Sequence, residues 1–571
     1  MQPDTQLKQR LMRDQGLWGV DTVDSVFCAL VQRWGDRETV VDAVNRAEFL
    51  EGSPRRLSFA DLNAEVERAC VVLSQQGLQP RDVVCVQLPN CVEQFVIYLA
   101  CARLGLIVSP VPVQYREHEL SYILQLVNAS AVLTYCPPQG HDHVAMFQQL
   151  HASGVGPSRL WAIGGDGKHA IDWASAMAAV ASPTSACAAA CAGHQPMADD
   201  VFTICWTSGT EARPKGVPRT HNEWFAQGRL AIGLSRVESS DRILNPFPLI
   251  NMAGFATAFF SWLLTGCTVV QHQPFKLPVF LQQLRDERIN HTVAPPAILN
   301  AMLNNPALVE GIDFERLKRI GSGAAPLSPW MVGEFERRWG VSVLNNYGSN
   351  EGGVMASSEV DVPDAQMRAI CFPRTGVAGL QWQGAGLDTV QTRLVDPVSE
   401  QDIEQAGIPG ELRFAGPTVF GGYIGDPSLN ERAFDDQGFY RSGDLFEIAG
   451  DRNQYYRYVG RLKDIIIRGG MNISAEEIDA LLLSHPKVLD AAAVGYPDAS
   501  MGERVCAFVV LKPGESLSLQ ELADFLKVEK KTAVFKLPER LEVVAELPRN
   551  PVGKLLKREL RQQLSGEEVD E

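Results

Sequence analysis

Thr207-Ser208-Gly209-Thr210-Glu211-Ala212-Arg213-Pro214-Lys215-Gly216 is the stretch around which the chain is organised. It follows an apolar run, Val201-Phe202-Thr203-Ile204-Cys205-Trp206, that reads as a buried strand. Gly209 permits positive φ and a close approach of backbone N–H groups to an anion. Thr207, Ser208 and Thr210 add hydroxyl donors, and Lys215 adds a point charge suited to polyphosphate. The common nucleotide P-loop places Gly directly before the Lys and Ser or Thr directly after it. Here Pro214 precedes Lys215 and Gly216 follows. Taken alone, such a Ser/Thr/Gly cluster is more often an ordinary polar loop than a phosphate clamp.

The chain has 571 residues, more than one core usually serves, so at least two domains are expected. Hydrophobic content of 45% and charged content of 21% are those of a globular protein. A formal net charge of −16 without a long basic run argues against nucleic acid as a partner. It does not exclude ATP, because local donors outweigh a screened distant field. The 12 cysteines lie scattered in apolar segments, which suits reduced thiols in a cytoplasmic protein. Cys187 and Cys191 form a pair without a second Cys/His pair nearby, so a metal site and an incidental pair both stay open. The polar N-terminus, 1–16, has no signal-peptide core. Asn251–Val270 carries no charge over a length that can span a bilayer, yet its small and polar residues favour a buried helix followed by a strand over a membrane span.

Before the loop, strand and helix patterns alternate: a helix from Leu57 with Ser58 as its cap, a strand at 83–88, a helix at 91–104 and strands at 106–112 and 131–135. This is the pattern of a doubly wound α/β domain. Residues 172–200 read as an Ala/Ser/Pro-rich linker. Thr220 and Glu223 form a capping box for a helix to about Ser235. A strand at 341–344 ends in Asn345-Asn346-Tyr347-Gly348. From 375 to 460, short glycine-punctuated β segments suggest a small barrel-like subdomain. The expected division is 1–460 for a large N-terminal α/β domain and 461–571 for a small mobile α+β domain.

Further motifs follow in order: Tyr347-Gly348-Ser349-Asn350-Glu351, Tyr440-Arg441-Ser442-Gly443-Asp444, Gly460-Arg461-Leu462-Lys463-Asp464, Arg468-Gly469-Gly470-Met471-Asn472, and Pro551-Val552-Gly553-Lys554. With the opening loop, they resemble the adenylate-forming superfamily of acyl- and aryl-CoA synthetases, peptide-synthetase adenylation domains and beetle luciferases. The N-terminal Gln15–Gly19 and the segment 517–556 look like bacterial short- and medium-chain fatty acid or cyclohexanecarboxylate-type CoA ligases. The resemblance implies an AMP-forming acid–thiol ligase. Such an enzyme converts a carboxylic acid and ATP to an acyl adenylate and pyrophosphate, then passes the acyl group to CoA. A carboxylate is a poor acyl donor, and a mixed anhydride with AMP supplies the leaving group. The transition state gathers charge on phosphate oxygens, so preorganised cations and N–H donors are required.

By the same resemblance, Thr207, Ser208, Gly209, Thr210 and Lys215 hold the phosphates. Ala324, Asn346 and Tyr347 border adenine, with Gly348, Ser349 and Asn350 alongside. Glu351 binds Mg²⁺, Asp444 takes the ribose hydroxyls, and Arg461 supports ribose or phosphate. Lys554 bridges the acyl carboxylate and the nucleotide, acting with Glu351 and Thr207 as the catalytic set. Lys463 matches the hinge, and Gly469 and Gly470 match the loop that opens a path for CoA. Asn251, Met252, Phe255, Gly323 and Met355 are placed at the acyl pocket. Those stretches lack a charge other than Glu351, which favours an apolar cyclic, aryl or medium-chain acid over an amino acid.

Four positions depart from the family's usual pattern. Ala212 stands where a second glycine is common; at positive φ a Cβ costs on the order of 1 kcal/mol or more. Asn350 replaces a common Thr, with an amide that can donate to phosphate. Asn251 replaces a common His, and Ala475 a common Pro. The expected partners are ATP, Mg²⁺, a small carboxylic acid and CoA, with no nucleic acid and no membrane span; a homodimer is left open. Two alternatives stand beside this reading: an adenylation enzyme that loads a carrier protein, and a catalytically impaired adenylate-binding protein.

Overall fold

The structure is a computed structural model that describes residues 5–164, 168–207, 214–323, 325–469, 471–498, 500–550 and 555–565. The chain divides into two compact units, 1–392 with 414–440 and 393–413 with 441–571. Compactness thus groups part of the β-rich region with the C-terminal segment, whereas the motif-based division falls at 460/461.

The first unit holds two large sheets. In the seven-stranded sheet the order is 171–172, 160–163, 131–135, 83–86, 107–110, 201–207, 215–220. Its pairs are parallel except the last, where Val201–Thr207 and Lys215–Thr220 form an antiparallel hairpin. The eight-stranded sheet runs 354–357, 342–348, 319–323, 291–293, 242–245, 268–271, 38–41, 56–58, again parallel apart from its two outermost pairs. Parallel strands need both faces covered, and the central ones read as continuous apolar runs for that reason. Val83–Val86 and Ala131–Tyr135 are buried along their whole length.

Capping chemistry sets the helices where the sequence suggests. Ser58 accepts from Asp61 N–H and opens Phe59–Gln75; Thr220 accepts from Glu223 N–H and opens His221–Ser235. The uncharged stretch after Asn251 forms Met252–Gly254, a π-helical turn Phe255–Phe260 and Ser261–Thr265, followed by the strand Thr268–Gln271. Its aromatic side chains pack in the core: Phe259 lies 5.3 Å from Phe95 and 5.6 Å from Trp262, ring centre to ring centre. Among the described residues no helix is long and apolar enough to cross a membrane.

Three readings change. The 172–200 linker contains the helices Trp173–Ala178 and Pro183–Cys191. Alanine favours helix without marking an apolar face, and Pro183 sits at the first turn. The strand read as 341–344 extends through the motif as Ser342–Gly348, because it pairs with Val354–Ser357. The β-rich region is an open sheet rather than a barrel. Its strands Tyr455–Arg461, Tyr440–Ala449, Gly410–Ala415 and Gln391–Val395 are neighbours in that order, and among the described residues no pairing joins Gln391–Val395 back to the far edge to close a cylinder.

The second unit also contains a sheet ordered 471–474, 465–468, 502–511, 488–498, with Arg540–Val543 parallel to 502–511. Helix Ala475–Leu483 packs on it through Ile478 and Leu482. Ser474 caps that helix by accepting from Glu477 N–H at 3.1 Å, so Ala475 needs no proline to start it. Cys70 and Cys187 are buried free thiols, and Cys191 is a half-buried one. Among the described residues no group of three or more His, Cys, Asp or Glu could hold a metal ion.

Candidate active site

The phosphate stretch is the connection of a hairpin whose final registered pair is Thr207 opposite Lys215. Ser208, Gly209, Thr210 and Ala212 lie outside the described residues. Lys215 directs its ammonium to the ring of Tyr423, 5.4 Å from the centroid. The Tyr423 hydroxyl donates to Glu351 Oε1 at 2.7 Å. One tyrosine therefore lies between the cation and the carboxylate that the sequence assigns to phosphate and metal. Ile424 N–H donates to Gly216 O at 3.1 Å, which lays the segment around Tyr423 along the hairpin.

Glu351 is held by its backbone as well as by its side chain. Phe420 N–H donates to its carbonyl at 2.8 Å, and the residue is 7% exposed. Gly352 follows with φ +90°, and a Cβ there would lie 1.8 Å from Thr418 O, so only glycine fits. Asn346, Tyr347 and Gly348 end the strand Ser342–Gly348; Tyr347 pairs with Met355 and stacks on Phe414 with ring centres 6.0 Å apart. Gly323, the last residue of Arg319–Gly323, faces Asn346 so closely that a Cβ would come within 2.2 Å of its carbonyl oxygen. Ala324 lies outside the described residues.

Asn350 makes three hydrogen bonds within the protein. Its amide nitrogen donates to Trp206 O at 3.0 Å, its amide oxygen accepts from Met252 N–H at 2.8 Å, and its carbonyl accepts from Arg219 Nη1 at 3.2 Å. The donor read as serving phosphate is engaged by the protein's own backbone. Asn251 caps the helix by accepting from Gly254 N–H at 3.3 Å. Phe255 is fully buried between Tyr98 and Trp224, at 5.6 and 4.9 Å between ring centres, and Met355 is 2% exposed.

In the second unit, Asp444 and Arg461 are registered partners on antiparallel strands. Arg461 Nε stands 3.5 Å from Asp444 Oδ1. Glu411 Oε1 accepts from Gly443 N–H at 3.0 Å and fixes the turn before Asp444. Lys463 occupies the single turn Leu462–Asp464. Partial burial of its ammonium, then the Arg461 guanidinium, pull its pKa down to about 8. Gly469, at φ +56°, makes the tight turn between Ile465–Arg468 and the next strand, and its N–H donates to Met501 O at 2.7 Å. Gly470 and Lys554 lie outside the described residues.

Sequence reasoning missed Tyr423, Arg219 and Glu411. The available signals were Gly410-Glu411-Leu412 within a β segment for Glu411 and the glycine-rich Gly421-Gly422-Tyr423-Ile424-Gly425 for Tyr423.

Two family models match the chain, one after the other along the sequence. The AMP-binding enzyme model covers residues 28–424, and the AMP-binding enzyme C-terminal domain model covers 477–554. The chain belongs to the AMP-binding enzymes, and it is an acyl-CoA synthetase, an AMP-forming acid–CoA ligase. It is 30% identical to a medium-chain fatty-acid–CoA ligase of Escherichia coli K12, over 97% of this chain and 92% of that one. It is 33% identical to a 2-hydroxy-7-methoxy-5-methyl-1-naphthoate–CoA ligase of Streptomyces carzinostaticus, over 91% and 90%. Among solved structures, ATP-bound MatB from Rhodopseudomonas palustris superposes with a TM-score of 0.76 at 25% identity, over 95% of this chain and 99% of that one.

Proposed function

We propose that this ligase activates an apolar cyclic, aryl or medium-chain carboxylic acid, with the adenylation chemistry carried by Lys215, Glu351, Asp444, Arg461 and Lys554. The observation that carries the reading is the Lys215–Tyr423–Glu351 arrangement, which places a cation and an anchored carboxylate beside the hairpin connection that bears the Ser/Thr/Gly cluster. Lys215 and the loop before it neutralise the β- and γ-phosphates. Asp444 accepts from the ribose hydroxyls, as a two-oxygen carboxylate can, and Arg461 orients it. Tyr347 borders the adenine. Lys554 stabilises the acid carboxylate as it attacks the α-phosphate and pyrophosphate leaves. Gly469–Gly470 serve the second half-reaction, in which the CoA thiolate attacks the acyl carbonyl and AMP leaves; Lys463 is the hinge between the two.

Glu351 suits Mg²⁺: it is a hard oxygen donor, and a lone protein carboxylate shared with substrate phosphates is the usual magnesium arrangement. Held by Glu351, such an ion would supply positive charge to offset the negative charge that gathers on the phosphates. The acid preference rests on the buried Met252 and Met355 and on stretches that carry no charge other than Glu351, which is assigned to the metal, so an ammonium would lack a partner. Two relatives act on largely apolar acids, a medium-chain fatty acid and a substituted naphthoate, whereas others at 28% identity are crotonobetaine/carnitine–CoA ligases, whose acids carry an ammonium. The homodimer and a carrier-protein acceptor are not needed by this reading.

The test is a half-reaction split. Lys554→Ala should abolish acid-dependent pyrophosphate release while retaining thioester formation from a supplied acyl adenylate. Equal loss of both half-reactions would contradict the assignment.

A further inference from the structure

We propose that Asn350 is a positioning residue for the acid site: it braces the helix that starts at Met252 against the hairpin that carries the phosphate loop. This rests on the acid site lying at that helix, as read above.

The first N–H groups of a helix have no partner within it. Here they are taken by two asparagines, Met252 N–H by Asn350 Oδ1 at 2.8 Å and Gly254 N–H by Asn251 Oδ1 at 3.3 Å. Two of these first N–H groups are therefore satisfied by protein side chains. The other half of the Asn350 amide reaches the hairpin, donating to Trp206 O at 3.0 Å, one residue before Thr207. Its backbone carbonyl takes Arg219 Nη1 from the opposite hairpin strand at 3.2 Å. Arg219 is fully buried and lies 3.9 Å from Glu223. One residue thus ties both hairpin strands to the start of the helix, and its neighbour is Glu351.

The chemistry selects asparagine. A donor and an acceptor are needed on one short planar group, because one neighbour is a carbonyl and the other an N–H. Aspartate keeps the acceptor and lacks the donor; alanine lacks both. The helix start has little room to reseat, since a Cβ on Gly254 would lie 2.2 Å from Pro248 O. Loss of the brace should move the acid site relative to the phosphates and leave nucleotide contacts in place.

The test compares wild type, Asn350→Ala and Asn350→Asp, measuring KM for ATP and for the acid that the wild type activates best. Hydrogen exchange at the 251–256 amides is followed in parallel. For Asn350→Ala the expected result is an acid KM raised about tenfold, an ATP KM within about threefold, and faster exchange at Met252. Asn350→Asp should retain protection at Met252, because the acceptor remains. Parallel changes in both KM values, no change in either, or unaltered Met252 exchange in Asn350→Ala overturns the proposal. A wild type that releases no pyrophosphate with any acid instead overturns the functional reading, and the acid role of Asn350 with it.

Discussion

Tyr423 touches two charged groups at once, so its hydroxyl and its ring can be separated by mutation. Tyr423→Phe keeps the ring beside Lys215 and removes the hydrogen bond to Glu351. A hydrogen bond to a charged group contributes about 1.5–3 kcal/mol. The expected outcome is a several-fold or larger rise in KM for Mg·ATP together with a loss of thermal stability of about that size, read by pyrophosphate release and melting curves. Lys463 gives a second residue-scale prediction. Its ammonium loses its proton near pH 8, not near 10.5, because partial burial and Arg461 disfavour the charge. The unfolded chain binds more protons between those values, so this group makes folding more favourable as pH rises from about 8. Trace acetylation should therefore modify Lys463 ahead of ordinary lysines at pH 8, and Arg461→Ala should narrow the difference. At this scale the ionic residues could be named from the sequence because the motifs that carry them resemble those of a family; the Asp444–Arg461 pairing and the Lys215–Tyr423–Glu351 contacts came from the structure. Tyr423 was not, because its role arises only when 420–425 folds back on a strand that is some two hundred positions earlier in sequence. The bracing contacts of Asn350 were hidden for a related reason: an amide's partners are set by packing, and one motif position does not reveal them.

At the scale of elements, the helix 252–265 shows how burial sets secondary structure. It is apolar nearly all round, and such helices lie within a core. Phe259 is fully buried against Phe95, Tyr98, Phe202 and Trp262. Phe259→Ala should cost about 3–5 kcal/mol, since a truncated aromatic leaves both lost transfer energy and a cavity; the first urea transition of the full chain would show it. Capped helices and buried strands were legible because cap residues and apolar runs act locally. The helices in 172–200 were hidden by alanine, which has helix propensity without a face. The extension of the strand to Gly348 was hidden because its partner, 354–357, lies beyond a tight turn centred on Gly352. The barrel expectation failed because glycine-punctuated β segments look alike in open and closed sheets.

For the whole molecule, buried histidines make acid sensitivity a property of the first unit. His221 is 2% exposed, stacks on Phe202 and accepts from Val23 N–H at 3.1 Å. Burial holds its pKa down to about 4. Below 6.5 the unfolded state takes up a proton that the folded state refuses, so stability is lost as pH falls from about 6.5 through 4. For one such group the loss is on the order of 2 kcal/mol by pH 5. His221→Gln should flatten that part of the stability profile, as urea midpoints at pH 7 and pH 5 would report. The central claim concerns chemistry, and it is tested most directly by incubating the purified chain with Mg·ATP and a panel of apolar and charged acids, with and without CoA. The account predicts acid-dependent pyrophosphate release that is greatest for apolar acids, with a CoA thioester and AMP as products. Acid-dependent pyrophosphate release that never yields a thioester, or none with any acid, would contradict it.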